Sequence, residues 1–181
     1  TFSQSSLDNG SNCSLAAITR VLYYYNKNGY TKISNDYKTI YSKVKKIAKK
    51  YGYTSRDGIS ATKINNVVND VLKDYGYSKS NCKGIYVWNF KNQVKKEIDN
   101  NRPVIMNIAR GYYGNHTVTV CGYAIYKRSS KKSKISSNKT YNMIQVYDGW
   151  TTYKRFIDYS AFAYDLVTSG FGSFNTVTMK K

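Results

Sequence analysis

The hydrophobic spacing of this chain changes period once, shortly after Cys82, and that switch restricts the folds open to it. Up to that point apolar residues recur every three or four positions, the period of a helix with one buried face. Leu15, Ile18, Val21, Leu22 and Tyr25 form one stripe; Tyr37, Ile40, Tyr41, Val44, Ile47 and Ala48 form a second; Ile64, Val67, Val68, Val71 and Leu72 form a third. Each run stops at the same punctuation: Asn28-Gly29-Tyr30, Tyr51-Gly52-Tyr53 and Tyr75-Gly76-Tyr77. Glycine tolerates the left-handed conformation that ends a helix, and the apolar residue after it packs back on the last turn. The spacing predicts helices over about 13–27, 35–51 and 60–75.

Beyond Cys82 the elements shorten. Gly84 to Trp88 reads as a strand, and Phe90, Val94 and Ile98 mark an amphipathic helix ending at Asn100-Asn101. Pro103 stops that helix and opens the apolar strand Val104–Ala109. Strands from His116 to about Tyr126 and from Tyr141 to Asp148 flank a lysine-rich tip over 127–139, and shorter strands fall near 153–158, 164–168 and 174–179. Helices first and antiparallel strands later make an α+β fold. The expected layout is one domain of 181 residues, with a helical lobe over about 1–80 and a sheet lobe over about 81–181.

The charge balance, 29 Lys and Arg against 10 Asp and Glu, leaves a net +19 and predicts attraction to anionic surfaces such as cell-wall polymers. The lysines are scattered over helix faces rather than gathered along a groove, which argues against a nucleic-acid partner. No apolar run approaches the length of a membrane span. The three cysteines, Cys13, Cys82 and Cys121, show neither a CxxC pair nor metal-ligand spacing, so no metal or cofactor is expected. A polar surface rich in Asn, Tyr, Ser and Gly fits an exported protein, secreted or at the cell surface.

Three short blocks carry chemistry. Asn9-Gly10-Ser11-Asn12 are breaker and capping residues, and Cys13 follows them in the first turn of the first helix. There the free N–H groups and the positive end of the dipole favour a thiolate, the nucleophilic form. The plain alternative is a small buried hydrophobe. The single histidine, His116, follows a glycine-bearing turn and opens an alternating strand, a placement that suits a general base but also an ordinary strand end. Asp148 closes the partner strand in Tyr147-Asp148-Gly149-Trp150, where a carboxylate can orient an imidazole and where Asp-Gly is also a common turn.

Taken in order, Asn-Cys-Ser-Leu-Ala-Ala-Ile, Asn-His-Thr-Val-Thr-Val-Cys-Gly-Tyr and Tyr-Asp-Gly-Trp resemble the bacterial papain-like cysteine peptidases. The branch that they resemble contains the double-glycine (bacteriocin-leader) peptidases and the streptopain-like enzymes. The resemblance implies a nucleophile on the helical lobe, a base on the sheet lobe and a cleft between them. It assigns Cys13 as nucleophile, His116 as base and later acid, and Asp148 as orienting residue where papain has asparagine. It also implies a protein or peptide substrate and a monomer.

The family's oxyanion glutamine, six residues before the cysteine, is replaced here by Leu7. Gln4, Asn9 and Asn12 are nearby amides, and Gln4 is the candidate on chemical type. A cell-wall amidase, a transglutaminase-like acyl transferase and an inactive binding or adhesion module on the same fold are the rival readings. Cys82 and Cys121 are expected to be buried thiols, and a disulfide between them would suit an exported chain.

Overall fold

The computed structural model describes residues 2–86, 89–110, 113–128, 139–159 and 171–181. Three helices open the chain: α1 (Cys13–Lys27), α2 (Tyr37–Lys49) and α3 (Ile64–Asp74), the last entered through a 3-10 turn at Ala61–Lys63. Asp36 caps α2, its carboxylate accepting from the N–H groups of Lys38 and Thr39. Each of these three helices ends as its glycine predicts. Gly29, Gly52 and Gly76 have φ of 91°, 87° and 80°. In each case the next residue's N–H returns to a carbonyl five positions back: Tyr30 to Tyr25, Tyr53 to Ala48 and Tyr77 to Leu72. Those tyrosines then join the packing under the helices.

Among the described residues six antiparallel strands follow, β1 (Asn81–Ile85), β2 (Val104–Ala109), β3 (His116–Arg128), β4 (Lys139–Tyr147), β5 (Arg155–Asp158) and β6 (Phe171–Thr178). Their order in the sheet is β1-β6-β2-β3-β4-β5. The fold is therefore α+β, as the change of period predicts. The first strand lies three residues earlier than its apolar residues suggest, because Asn69 on α3 holds it there. The Asn69 amide accepts from the Cys82 N–H at 2.7 Å and donates to the Cys82 carbonyl at 3.1 Å. The amphipathic segment after it begins as a wide π turn over Phe90–Lys95 and tightens into the short helix α4 (Lys96–Asp99). The expected strand near 164–168 and most of the lysine-rich tip lie outside the described residues.

Register separates the two faces of the sheet. Ile105 pairs with Thr119 and Asn107 with Thr117, so these side chains share the face under α1. Ile105, Cys82 and Val177 complete the apolar packing of the three helices. Val104, Met106, Val118, Val120 and Phe174 point the other way, into a second core closed by Phe90 and Val94. No described helix is long and apolar enough to cross a membrane.

Cys82 and Cys121 are both free thiols, so the expected disulfide is not formed. Topology gives the reason. β6 and β2 stand between β1 and β3, three strand spacings or roughly 14 Å, well beyond a disulfide's reach.

Candidate active site

Cys13 is the first residue of α1, and the loop before it is fastened on two sides. Asn12 is fully buried, and its amide donates to the Gln4 carbonyl at 2.9 Å and the Asp8 carbonyl at 3.0 Å. Ser11 ties the loop to the turn at 54–58, its N–H donating to the Ser55 carbonyl at 2.7 Å and its hydroxyl to the Arg56 carbonyl at 2.6 Å. The cysteine is thus held in a fixed first turn, half-buried, at the wall of a cavity of about 720 Å³. His116, Asn115, Asn107, Tyr86, Gly172 and Asp57 also line that cavity.

Burial alone would push the Cys13 thiol up. The neighbouring His116 imidazole and its charge, the Thr117 N–H and the Ser14 hydroxyl outweigh it and bring the thiol below its ordinary value. Cysteine and histidine, 103 positions apart, therefore meet where α1 abuts β3.

The histidine is oriented by an atom that residue types alone would not single out. His116 Nε2 lies 2.6 Å from the main-chain carbonyl oxygen of Asp148, whereas the expected partner was the carboxylate. A carbonyl only accepts, so the imidazole proton resides on Nε2 and the Nδ1 lone pair is free to act as base. The Asp148 carboxylate, fully buried, turns back on its own loop: Oδ1 accepts from the N–H groups of Trp150 at 3.0 Å and Thr151 at 3.3 Å. Arg155 Nε approaches Oδ2 to 2.8 Å but out of hydrogen-bond alignment, so that contact is an ion pair only.

Aromatic rings enclose the imidazole, which is 7% exposed. Tyr113 stacks on it at 5.6 Å with the planes 4° apart, and the exposed Trp150 covers it at 4.7 Å. Tyr113 carried no signal in the sequence beyond its place in a tyrosine-rich turn.

Gln4 begins a 3-10 turn, Gln4–Ser6, beside the same loop. Its N–H donates to the Gly149 carbonyl at 2.7 Å, while its carbonyl receives Asn12. Its main chain is thereby bracketed between the neighbour of Asp148 and the neighbour of Cys13, and its side-chain oxygen is buried against Gly149 without a protein partner. Asn12 is spent on the loop. Neither Gln4 nor Asn12 lines the cavity itself.

Beneath the cysteine runs a buried polar ladder that the sequence did not disclose. The hydroxyls of Ser14 and Thr117 lie 2.7 Å apart, Thr117 donates to Asn107 Oδ1 at 3.1 Å, and Asn107 Nδ2 donates to Ser173 at 3.1 Å and Asn175 at 2.8 Å. Thr117 and Ser173 are the register partners of Asn107, and Asn175 lies two residues along β6 from Ser173 on the same face, a placement that no local pattern reveals. The other two cysteines stand apart from this chemistry. Burial pushes Cys82 up to about 12, and burial also raises Cys121.

A cysteine at a helix start facing a histidine at a strand start, in an α+β fold with helices first and sheet second, is the arrangement of the papain-like cysteine peptidases. A family comparison places the chain more closely: the model of the Peptidase_C39 like family matches residues 1–166, and the chain belongs to that family. Membership points to cysteine-peptidase activity on protein substrates. No curated protein and no solved structure matches the chain.

Proposed function

We propose that the protein hydrolyses peptide bonds through Cys13, His116 and Asp148, by way of a thioester. The Cys13 thiolate attacks the substrate carbonyl carbon, and the carbonyl π electrons move onto oxygen. As the tetrahedral species collapses, the C–N bond breaks and the imidazolium of His116 gives its proton to the departing amine. Water, deprotonated by His116, then attacks the thioester and returns the thiol. Asp148 serves by holding Nε2–H on its carbonyl, and the Cys13 main-chain N–H with Gln4 supplies the oxyanion site.

The observation that carries this reading is that Cys13 and His116 line one cavity, the imidazole lowering the thiol while its Nε2 is held from behind. In this reading residues 1–181 are one peptidase domain, monomeric, acting outside the cell or at its surface, of the double-glycine or streptopain-like branch. The +19 charge supports an anionic wall polymer as its surroundings.

Iodoacetamide at pH 7 should alkylate Cys13 faster than a free cysteine, and Cys13→Ala should abolish casein or peptide hydrolysis while leaving the fold intact. Labelling no faster than free cysteine sinks the activated thiolate. The same charge favours a second reading, an amidase acting on the wall polymer; digestion of peptidoglycan but not casein selects it.

A further inference from the structure

Arg20 lies on the face of α1 turned away from its apolar stripe, yet it is only 7% exposed, with no acidic residue anywhere in its helix. A buried guanidinium usually meets a carboxylate. This one meets something else on each side. Nη2 donates to the Phe2 carbonyl at 2.7 Å, and Nη1 donates to the Thr119 hydroxyl at 3.4 Å. Its carbon sits 4.7 Å from the centre of the Phe2 ring and 5.4 Å from that of Tyr147. Phe2 is in turn stacked on Tyr37, the first residue of α2, at 4.5 Å with the planes 10° apart.

These contacts fall on the segments that carry the reacting groups. Phe2 lies two residues before Gln4, Thr119 three after His116, and Tyr147 one before Asp148, while Arg20 rides the helix that begins at Cys13. Gln4 itself is tethered from the far side: its N–H reaches Gly149, and its carbonyl receives the Asn12 amide and the N–H groups of Leu7 and Asp8. The segment before it is held by the Arg20 hydrogen bond and the Phe2 stacking. An arginine suits the task because its planar fork donates in two directions while its faces take aromatic rings.

We propose that Arg20 is a positioning residue that pins the segment around Phe2, so that Gln4 stays bracketed between the 148–150 loop and the loop that leads into Cys13. This rests on the peptidase reading for its kinetic consequence but not for its structural one. Arg20 touches neither thiol nor imidazole, so its loss leaves the activation of Cys13 in place and weakens the support of the oxyanion.

The experiment compares wild type, Arg20→Lys, Phe2→Ala, Gln4→Ala and the Arg20→Lys/Gln4→Ala double variant. Lysine keeps the charge and stem but donates from one point, Phe2→Ala removes the buried ring stacked on Tyr37, and thermal unfolding verifies that both variants fold. Deuterium exchange of residues 2–6 should rise about tenfold in Arg20→Lys and in Phe2→Ala, with α1 unchanged. Exchange equal to wild type in that segment overturns the proposal whether or not the protein is an enzyme.

With a peptide that wild type cleaves, Gln4→Ala should lower kcat about 10²-fold or more. Arg20→Lys should lower kcat at least about tenfold with little change in KM. The pH profile of Cys13 alkylation should stay where it is, and the double variant should be no slower than Gln4→Ala. Additive losses, or an altered alkylation profile, overturn the coupling to Gln4. A wild type that cleaves nothing counts against the peptidase reading alone, and exchange still decides the role of Arg20.

Discussion

Replacing Asp148 by asparagine isolates the atom that orients the histidine. The imidazole Nε2–H is held at 2.6 Å by the main-chain carbonyl of residue 148, which the substitution retains. Asparagine Oδ1 also retains the two bonds from Trp150 and Thr151 N–H, each contributing about 1 kcal/mol. What disappears is the ion pair with Arg155, whose side chain is 51% exposed and can turn to water, while the amide that replaces the buried Oδ2 gains no acceptor, so the direct cost is about 1–3 kcal/mol. The imidazolium also loses a nearby buried negative charge. Together these amount to a loss of about tenfold at most in the alkylation rate of Cys13 at pH 7, and a similar loss in kcat/KM. Where a carboxylate itself fixes the tautomer, the same replacement costs about 10⁴-fold. Iodoacetamide labelling followed by mass spectrometry measures the rate without a known substrate, and thermal unfolding verifies the fold. A folded Asp148→Asn protein that labels about 10³-fold slower would refute the carbonyl's role.

Other outcomes follow from single contacts. At Gly172 an added methyl carbon would sit 1.5 Å from the Asn107 carbonyl oxygen, so Gly172→Ala should force β2 and β6 apart and cost about 3 kcal/mol or more, read by denaturant unfolding. Because Cys13 is lowered while Cys82 is pushed up to about 12, the native protein should label at Cys13 and not at Cys82 near neutral pH. The Cys13 rate should also persist as pH falls below the ordinary thiol range, and urea should expose Cys82. The Asp36 carboxyl is held below its ordinary value of 3.8 by the Thr39 hydroxyl and the Lys38 and Thr39 N–H groups. Its contribution to stability is full above that value and lost as pH falls through the lower folded one. Asp36→Ala should therefore lower the unfolding midpoint at pH 6 and make less difference at pH 2.

Local rules account for much of the architecture. The boundaries of α1, the glycine stops at 29, 52 and 76, and strand β2 behind Pro103 depend on spacing and backbone preference within a few residues, and they stand where the pattern puts them. The same holds for Cys13 at the head of α1 and His116 at the head of β3, since helix and strand starts are written in capping and turn residues. The misplacements have non-local causes. Asn69, 13 positions before Cys82, draws the start of β1 to Asn81, and the strand order keeps Cys82 from Cys121.

The chain's sequence by itself determined its fold class, the helix ends and the three blocks on which the chemistry rests, because each is decided by neighbours in the chain. Tertiary structure alone decided that the Asp148 carbonyl meets the imidazole, that Ser14, Thr117 and Asn107 form one ladder, and that Arg20 is buried between Phe2, Thr119 and Tyr147. Those depend on rotamers and register across α1, β2, β3 and β4, where many pairings satisfy the same hydrophobic pattern and only the packed whole selects one.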